Sequence, residues 1–235
     1  MERLQEGRDQ TETLLARLRA FCFPGGEEAA RLVRGIKAVQ RGEFRASPEA
    51  KWTPFTAEEI VDATRSGFRW EARIGGAKLG ALAVTDAYEQ RHGRLVVKLA
   101  GAIPLQKLLG PEVDKAELQR YFASVVLCPP MLLNHPSLEW TATGPLTLRV
   151  CDRADPTGAT LDLEMNEQGQ VLAGRAERGR LVGKQSVPTP WSAVCHEFRE
   201  WDGLRVAARF EAVWHVADTA FTYIRSEVMA FEALR

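Results

Sequence analysis

The stretch from Leu204 to Val216 constrains the chain more than any other. Leu204, Val206, Ala208, Phe210, Ala212, Trp214 and Val216 alternate with a set that includes Arg205, Arg209, Glu211 and His215. One side of this segment is therefore dry and the other wet, which fits an antiparallel sheet covering a core with a single face. The same period of two runs through Phe68, Trp70, Ala72 and Ile74, set against Arg69, Glu71 and Arg73, and stops at Gly75-Gly76. Further strands are predicted over 79–88, 94–101, 138–142, 146–152, 159–165, 171–177, 191–201 and 221–231. Turn chemistry separates them at Glu89 to Gly93, Asp155 to Gly158, Glu167 to Gly169 and Asp202-Gly203.

One strongly helical segment interrupts this run of strands. Within Pro111 to Pro130, Leu118, Tyr121, Phe122, Val125 and Val126 recur at helical spacing and share one face. Asp114 has the position of a cap, with Glu117 three residues on, and Pro129-Pro130 ends the run. Burying those five side chains is worth on the order of 10 kcal/mol, and a sheet is the only partner large enough. Near the N-terminus, residues 9–21 place Leu14, Leu15, Leu18 and Phe21 on one helical face. A second helix is predicted over 27–39 on Ala29, Leu32, Val33, Ile36 and Val39, forming a helical hairpin with the first. Residues 40–66 read as irregular, with a short helix from Thr56, where Thr56 and Glu59 have capping-box spacing.

The expected fold class is α+β: a curved antiparallel β-sheet, or half-barrel, wrapped around a mid-chain helix at 114–127, with an N-terminal helical hairpin. The expected division is a hairpin over 1–40 and a sheet domain over 41–235.

Lys plus Arg and Asp plus Glu are equal at 31 each. There is thus no basic field to attract nucleic acid or anionic lipid. No apolar run is long enough for stable membrane insertion. Cys22, Cys128, Cys151 and Cys195 are widely spread and form no ligand spacing, so each reads as a small buried hydrophobe. Met1-Glu2-Arg3 leads into a charged segment rather than an apolar leader, and the expected compartment is the cytoplasm.

Chemical motifs are sparse. GGAKLG at Gly75 to Gly80 lacks the Gly-Lys-Ser/Thr ending of a phosphate loop and reads as a hairpin turn. His196-Glu197 lacks the second histidine of a zinc-protease motif, and no metal or cofactor is expected. Asp86 is the unusual residue, an acid sharing a strand face with Leu82, Val84 and Tyr88. A carboxyl in that company needs a partner, for which Tyr121 or Arg73 is available. Arg120 lies opposite the apolar stripe of its helix and is expected to face solvent, or the lumen if the sheet curls far enough. The candidate ligand contacts are Trp70, Val84, Asp86, Tyr88, Tyr121, Phe122, Trp140 and Trp214.

Three functions follow from this set. The first is a binding protein or carrier, without catalysis, for an apolar small molecule such as a lipid or acyl chain. The second is an acid-base enzyme using Asp86 or Glu139 with Tyr88 or Tyr121. The third is an interaction module built on the N-terminal hairpin.

The succession KWTPFTAEEIVDATRSGFRWEARI, VTDAYEQRHGRLVVKLAGAIPL, ELQRYFASVVLCPPMLL, LEW, EFREWDGLRVAARFEAVWHV and FTYIR resembles a bacterial family of uncharacterised proteins, a domain of unknown function, over roughly residues 35 to 231. The resemblance implies a shared fold and carries no activity with it. Ser124 stands where an acidic residue commonly follows the Arg120-Tyr121 pair in that family, and Leu127-Cys128 replaces an aromatic-containing stretch. More loosely, the architecture is similar to periplasmic lipoprotein carriers, whose half-barrel sheet wraps helices and holds acyl chains. Helix-grip lipid-transfer folds place their long helix last in the chain, whereas here it is in the middle.

Overall fold

The computed structural model describes residues 2–76, 81–183, 185–217 and 219–235. Helix α1 (Glu2–Cys22) and a 3-10 turn at Ala30–Leu32 precede β1 (Gly35–Phe44), β2 (Thr53–Asp62), β3 (Phe68–Ile74), β4 (Leu82–Glu89), β5 (His92–Leu99) and β6 (Ile103–Leu108). Helix α2 (Pro111–Ala123), a 3-10 turn at Ser124–Val126 and the short α3 (Met131–Asn134) come next. The chain then forms β7 (Leu138–Gly144), β8 (Thr147–Asp152), β9 (Thr160–Met165), β10 (Val171–Val182), β11 (Gln185–Trp201), β12 (Leu204–Val216) and β13 (Thr219–Leu234).

All thirteen strands join one sheet in the order β6-β5-β4-β3-β2-β1-β13-β12-β11-β10-β9-β8-β7. Each half is a meander of antiparallel neighbours, and the first and last strands meet in the middle, with Gly35 opposite Leu234. This order decides where α2 must lie. The segment joining β6 to β7 has to run from one free edge of the sheet to the other. It crosses a face on the way, and α2 packs against β4 and β5 near one edge and β9 and β10 near the other. A single helix can touch strands so far apart in the order only if the sheet curves around it. The architecture is thus a large, open, curved antiparallel sheet with few helices.

The predicted apolar stripe of α2 is the heart of the core, with Leu118, Tyr121 and Phe122 at 0% exposure. The start of the helix differs from the prediction. Pro111 occupies the first turn, and Asp114 does not cap it but accepts a hydrogen bond from the Gly93 amide of β5 at 2.7 Å. A Cβ on Gly93 would sit 2.5 Å from the Val113 carbonyl oxygen, so the glycine is what lets helix and strand approach. At the other end of the molecule α1 packs on β7, β8 and β12 through Leu14, Leu15 and Leu18.

The helix predicted over 27–39 does not form, and with it goes the hairpin. Residues from Gly35 are instead β1, paired on both sides, with β2 and β13. Ile36, Ala38 and Gln40 point into the core, whereas Leu32 at 65% and Val39 at 40% are exposed, which no helical stripe would allow. Pairing at the centre of a large sheet outweighs weak local helix propensity. Residues 1–40 are therefore not a separate hairpin unit, because their last part is the middle of the sheet.

The short helix expected at Thr56 is likewise strand β2, in which Phe55, Ala57, Glu59 and Val61 alternate inward. Strand β6 is not among the predicted strands; it contains Pro104, and as an edge strand it tolerates the missing amide. The first part of β11, with Pro188 and Pro190, pairs with β10 alone, since its pairing with β12 begins at Trp191. Residues 79–80 of the strand predicted over 79–88, and 77–80 of the turn in GGAKLG, lie outside the described residues. Cys22, Cys128 and Cys195 are buried free thiols, as the sequence leads one to expect, and Cys151 is half-buried. Burial pushes the Cys22 and Cys195 thiols up to about 12.

Candidate functional site

Between α2 and the concave face of the sheet lies a cavity of about 680 Å³. Cross-strand register builds one wall. Glu59 of β2 stands opposite Trp70 of β3, Trp70 opposite Asp86 of β4, and Asp86 opposite Leu95 of β5, so four neighbouring strands each place one side chain in a single row. The facing wall comes from β11, β12 and β13, with Trp191, Trp214 and Tyr223. The roof is α2, through Ala116, Glu117, Arg120 and Ala123. Leu109 and Leu181 line the cavity yet are 56% and 41% exposed, which places them at its mouth.

Arg120 is the pivot of the polar part. Its Nη1 donates to Asp86 Oδ2 at 3.0 Å and its Nη2 to Glu59 Oε1 at 3.4 Å. The guanidinium also lies 4.4 Å from the centre of the Phe68 ring and 5.4 Å from Trp70, where cation–π attraction adds to the ion pairs. Gln40 extends the network: its Nε2 donates to Glu59 Oε2 at 2.6 Å, and its Oε1 accepts from Trp70 Nε1 at 3.1 Å and Ser226 Oγ at 3.3 Å. Across the cavity Arg178 of β10 stacks 4.5 Å from the Trp191 ring, and its Nη2 is 3.6 Å from Glu117 Oε2. Trp191 Nε1 donates to the Tyr223 hydroxyl at 3.1 Å.

Burial, and after it the neighbouring Asp86 carboxylate, hold the Glu117 carboxyl well above the usual carboxylate range. Burial also raises Glu59, against the pull of Arg120 and the Gln40 hydrogen bond. A carboxyl raised in the folded state keeps a proton that the unfolded chain, near its ordinary value of about 4.3, has lost. Stability therefore falls as pH climbs from that ordinary value through the raised one. Glu117→Gln keeps the shape and abolishes the ionisation, so its urea midpoint should gain steadily on that of the unaltered protein between about pH 5 and pH 8. Midpoints that run parallel across the range would mean that Glu117 does not titrate there.

Of the residues expected to contact a ligand, Trp70, Val84, Asp86 and Trp214 line this cavity. Tyr121 and Phe122 do not; they sit in the core behind it, with the Tyr121 hydroxyl donating to the Asp62 and Arg65 carbonyls. Trp140 is half-buried on β7, away from the cavity. Tyr88 faces a second, open cleft of about 990 Å³ and donates to Asp155 Oδ2 at 2.6 Å. Glu139 is exposed beside Arg153 at 3.5 Å. Arg120 faces the lumen and not solvent, and Asp86 finds its partner in Arg120, not in Tyr121 or Arg73.

The second cleft gathers Ser66, His135 and Asp152. Their polarity is the reverse of a nucleophile with its base. Ser66 Oγ donates to Asp152 Oδ2 at 2.6 Å, and His135 Nδ1 accepts from the Ser137 amide at 3.3 Å. The histidine proton is thus on Nε2, 3.2 Å from Ser66 Oγ, where it donates and cannot withdraw the serine proton. Burial lowers the His135 pKa and favours this neutral form. The group ties the loop after β2 to the segments around α3 and β8.

A LolA-superfamily protein of Nitrosomonas europaea aligns with 96% of this chain over 93% of its own length, at 9% identity and a TM-score of 0.51. A putative outer membrane lipoprotein-sorting protein domain from Vibrio parahaemolyticus aligns with 97% of the chain over 92% of its own, at 7% identity and a TM-score of 0.47. The first likeness shows a shared fold. No curated protein matches the chain by sequence. The family model described as "Family of unknown function (DUF6544)" matches residues 19–226, and the chain therefore belongs to that family.

Proposed function

We propose that the protein binds, and carries, an apolar small molecule such as a lipid or acyl chain in the cavity beneath α2, without transforming it. The observation that carries this reading is the cavity itself. Its volume of about 680 Å³ falls in the range of small-molecule sites, roughly 300–1,000 Å³. Its walls are mostly aliphatic and aromatic, and five of its charged groups form two clusters, Arg120 with Glu59 and Asp86, and Arg178 with Glu117. The exposed leucines at the mouth offer an entering chain apolar contact from the start. The fold shared with a LolA-superfamily protein is consistent with such a role and does not by itself assign it. Trp70, Val84, Asp86 and Trp214 are the contacts proposed.

Each buried methylene of a bound chain contributes about 0.8 kcal/mol, so about fifteen give roughly 12 kcal/mol, from which an association cost of about 4 kcal/mol leaves roughly 8. Micromolar binding is the expectation. The purified protein should enhance and blue-shift Nile red fluorescence, and native mass spectrometry should detect a co-purified species that organic extraction removes. Neither signal appearing would end the proposal. An acid-base enzyme draws on the same Asp86, but the tyrosines it would use are committed elsewhere, Tyr88 to Asp155 and Tyr121 to backbone carbonyls. An interaction module built on the N-terminal hairpin loses its basis with that hairpin.

A further inference from the structure

We infer that the polar end of the cavity receives a head group that donates hydrogen bonds and carries no negative charge, a hydroxyl or an amine on a hydrocarbon chain, in preference to the carboxylate of a fatty acid. This rests on the apolar-ligand reading and specifies the chemistry of the head.

Two independent observations carry it. The first is a set of unused polar atoms. Asp86 Oδ1, Glu117 Oε2 and Arg178 Nε are buried with no hydrogen-bond partner among the described residues, and all three side chains line the cavity. The Glu117 and Arg178 side chains are only 8% and 7% exposed, so water reaches them poorly and a ligand atom is the natural partner. Two of the three are carboxyl oxygens; the proton that Glu117 retains can be shared with Asp86, and the lone pairs left on the two carboxyls accept further donors. A hydroxyl brings the donor that Asp86 needs and lone pairs for Arg178. An ammonium brings donors for both carboxyls.

The second observation is the balance of charge. Among the described lining residues, the cations are Arg120 and Arg178, whereas Glu59, Asp86, Glu112 and Glu117 carry carboxyls, as does Glu211, which is paired with Arg225 at 3.1 Å. Arg120 is already divided between Glu59 and Asp86, at 3.4 and 3.0 Å. Arg178 has Glu117 at 3.6 Å. An incoming carboxylate would have to take a guanidinium from an acid that is itself buried, and would sit among like charges while doing so. The site discriminates against it by repulsion and by the prior claim of Glu59, Asp86 and Glu117 on the two guanidiniums.

Four decyl amphiphiles differing only at the head test this: decan-1-ol, decylamine, methyl decanoate and decanoate. Each is titrated against Nile red bound to the unaltered full chain at neutral pH. Decan-1-ol or decylamine, or both, should displace the dye at least tenfold more tightly than decanoate. They should also outrank methyl decanoate, which is uncharged but has no donor. Decanoate binding as tightly as the alcohol and the amine overturns the inference and leaves the apolar-ligand reading standing, as does methyl decanoate matching them. None of the four displacing the dye removes the apolar-ligand reading and this inference with it. Asp86→Asn leaves Arg120 with Glu59 alone, so the preference over decanoate should shrink to parity or reverse. A preference that survives this change intact overturns the assignment to this cluster. The ranking on the unaltered chain decides the matter even where the variant does not fold.

Discussion

Arg120→Met is expected to destabilise the protein by about 3–5 kcal/mol at neutral pH, as breaking a buried ion pair from one side does. Methionine keeps a flexible apolar stem against Phe68 and Trp70, so the loss isolates the charge rather than the packing. What remains is a pair of carboxyls, with the Glu59 side chain at 3% exposure and Asp86 at 16%, facing no cation of their own. Burial already raises Glu59, and Arg120 is the main influence holding it down. Without Arg120 its folded pKa climbs further above the unfolded value. Between those two values the folded chain binds the extra proton, so the deficit is largest at high pH and shrinks as pH falls through the raised pKa. Urea denaturation of both proteins at several pH values reads this directly. Neutralising the stranded acids in an Arg120→Met, Glu59→Gln, Asp86→Leu triple variant should restore most of the stability, because it is the unpaired charge that is expensive. A deficit that is independent of pH, or a triple variant no better than the single, would show that Arg120 acts through packing.

The same arginine marks where the sequence stopped being legible. The sheet could be read because alternation over spans such as Phe68 to Ile74 survives in the fold; Leu204 to Val216 keeps it only in part, with Ala207 and Val213 buried and Val216 exposed. The core stripe of α2 could be read for the same reason, since Leu118, Tyr121 and Phe122 are apolar at helical spacing. Treating the opposite face of α2 as wet assumed that the sheet does not curl far enough around the helix to cover it. A sheet that wraps buries a second stripe, and here that stripe is Ala116, Glu117, Arg120 and Ala123. A signal was present in the small residues Ala116, Ala123 and Ser124, because a solvent face would more often carry long polar side chains there. Asp86 was legible as an acid among apolar neighbours. Its partner was not, since Arg120 reaches it by a contact thirty-four positions away that only the path from edge to edge creates. Strand β1 escaped for a related reason: its pairing with β13 joins the two ends of the chain, and no local pattern records that.

Ala193→Trp should weaken binding of Nile red and of a decyl amphiphile about 50-fold while leaving the fold intact. On the β11–β12 wall, Trp191 faces Trp214, Ala193 faces Ala212, and Cys195 faces Phe210. All six line the cavity, so the alanine pair forms a notch between the two tryptophans on one side and Phe210 on the other. An indole projecting from that notch occupies space needed by about three methylenes of a bound chain; at ~0.8 kcal/mol each this is ~2.4 kcal/mol, or roughly 50-fold in affinity. Overpacking a filled core normally costs about 1–3 kcal/mol, whereas an added ring with open cavity to enter should shift the urea midpoint little. The two measurements separate the possibilities. Weakened binding with unchanged stability locates the ligand beneath α2. Lost stability with no change in binding would mean that the notch is already full and the ligand lies elsewhere, with the open cleft of Ser66 and His135 the next place to look.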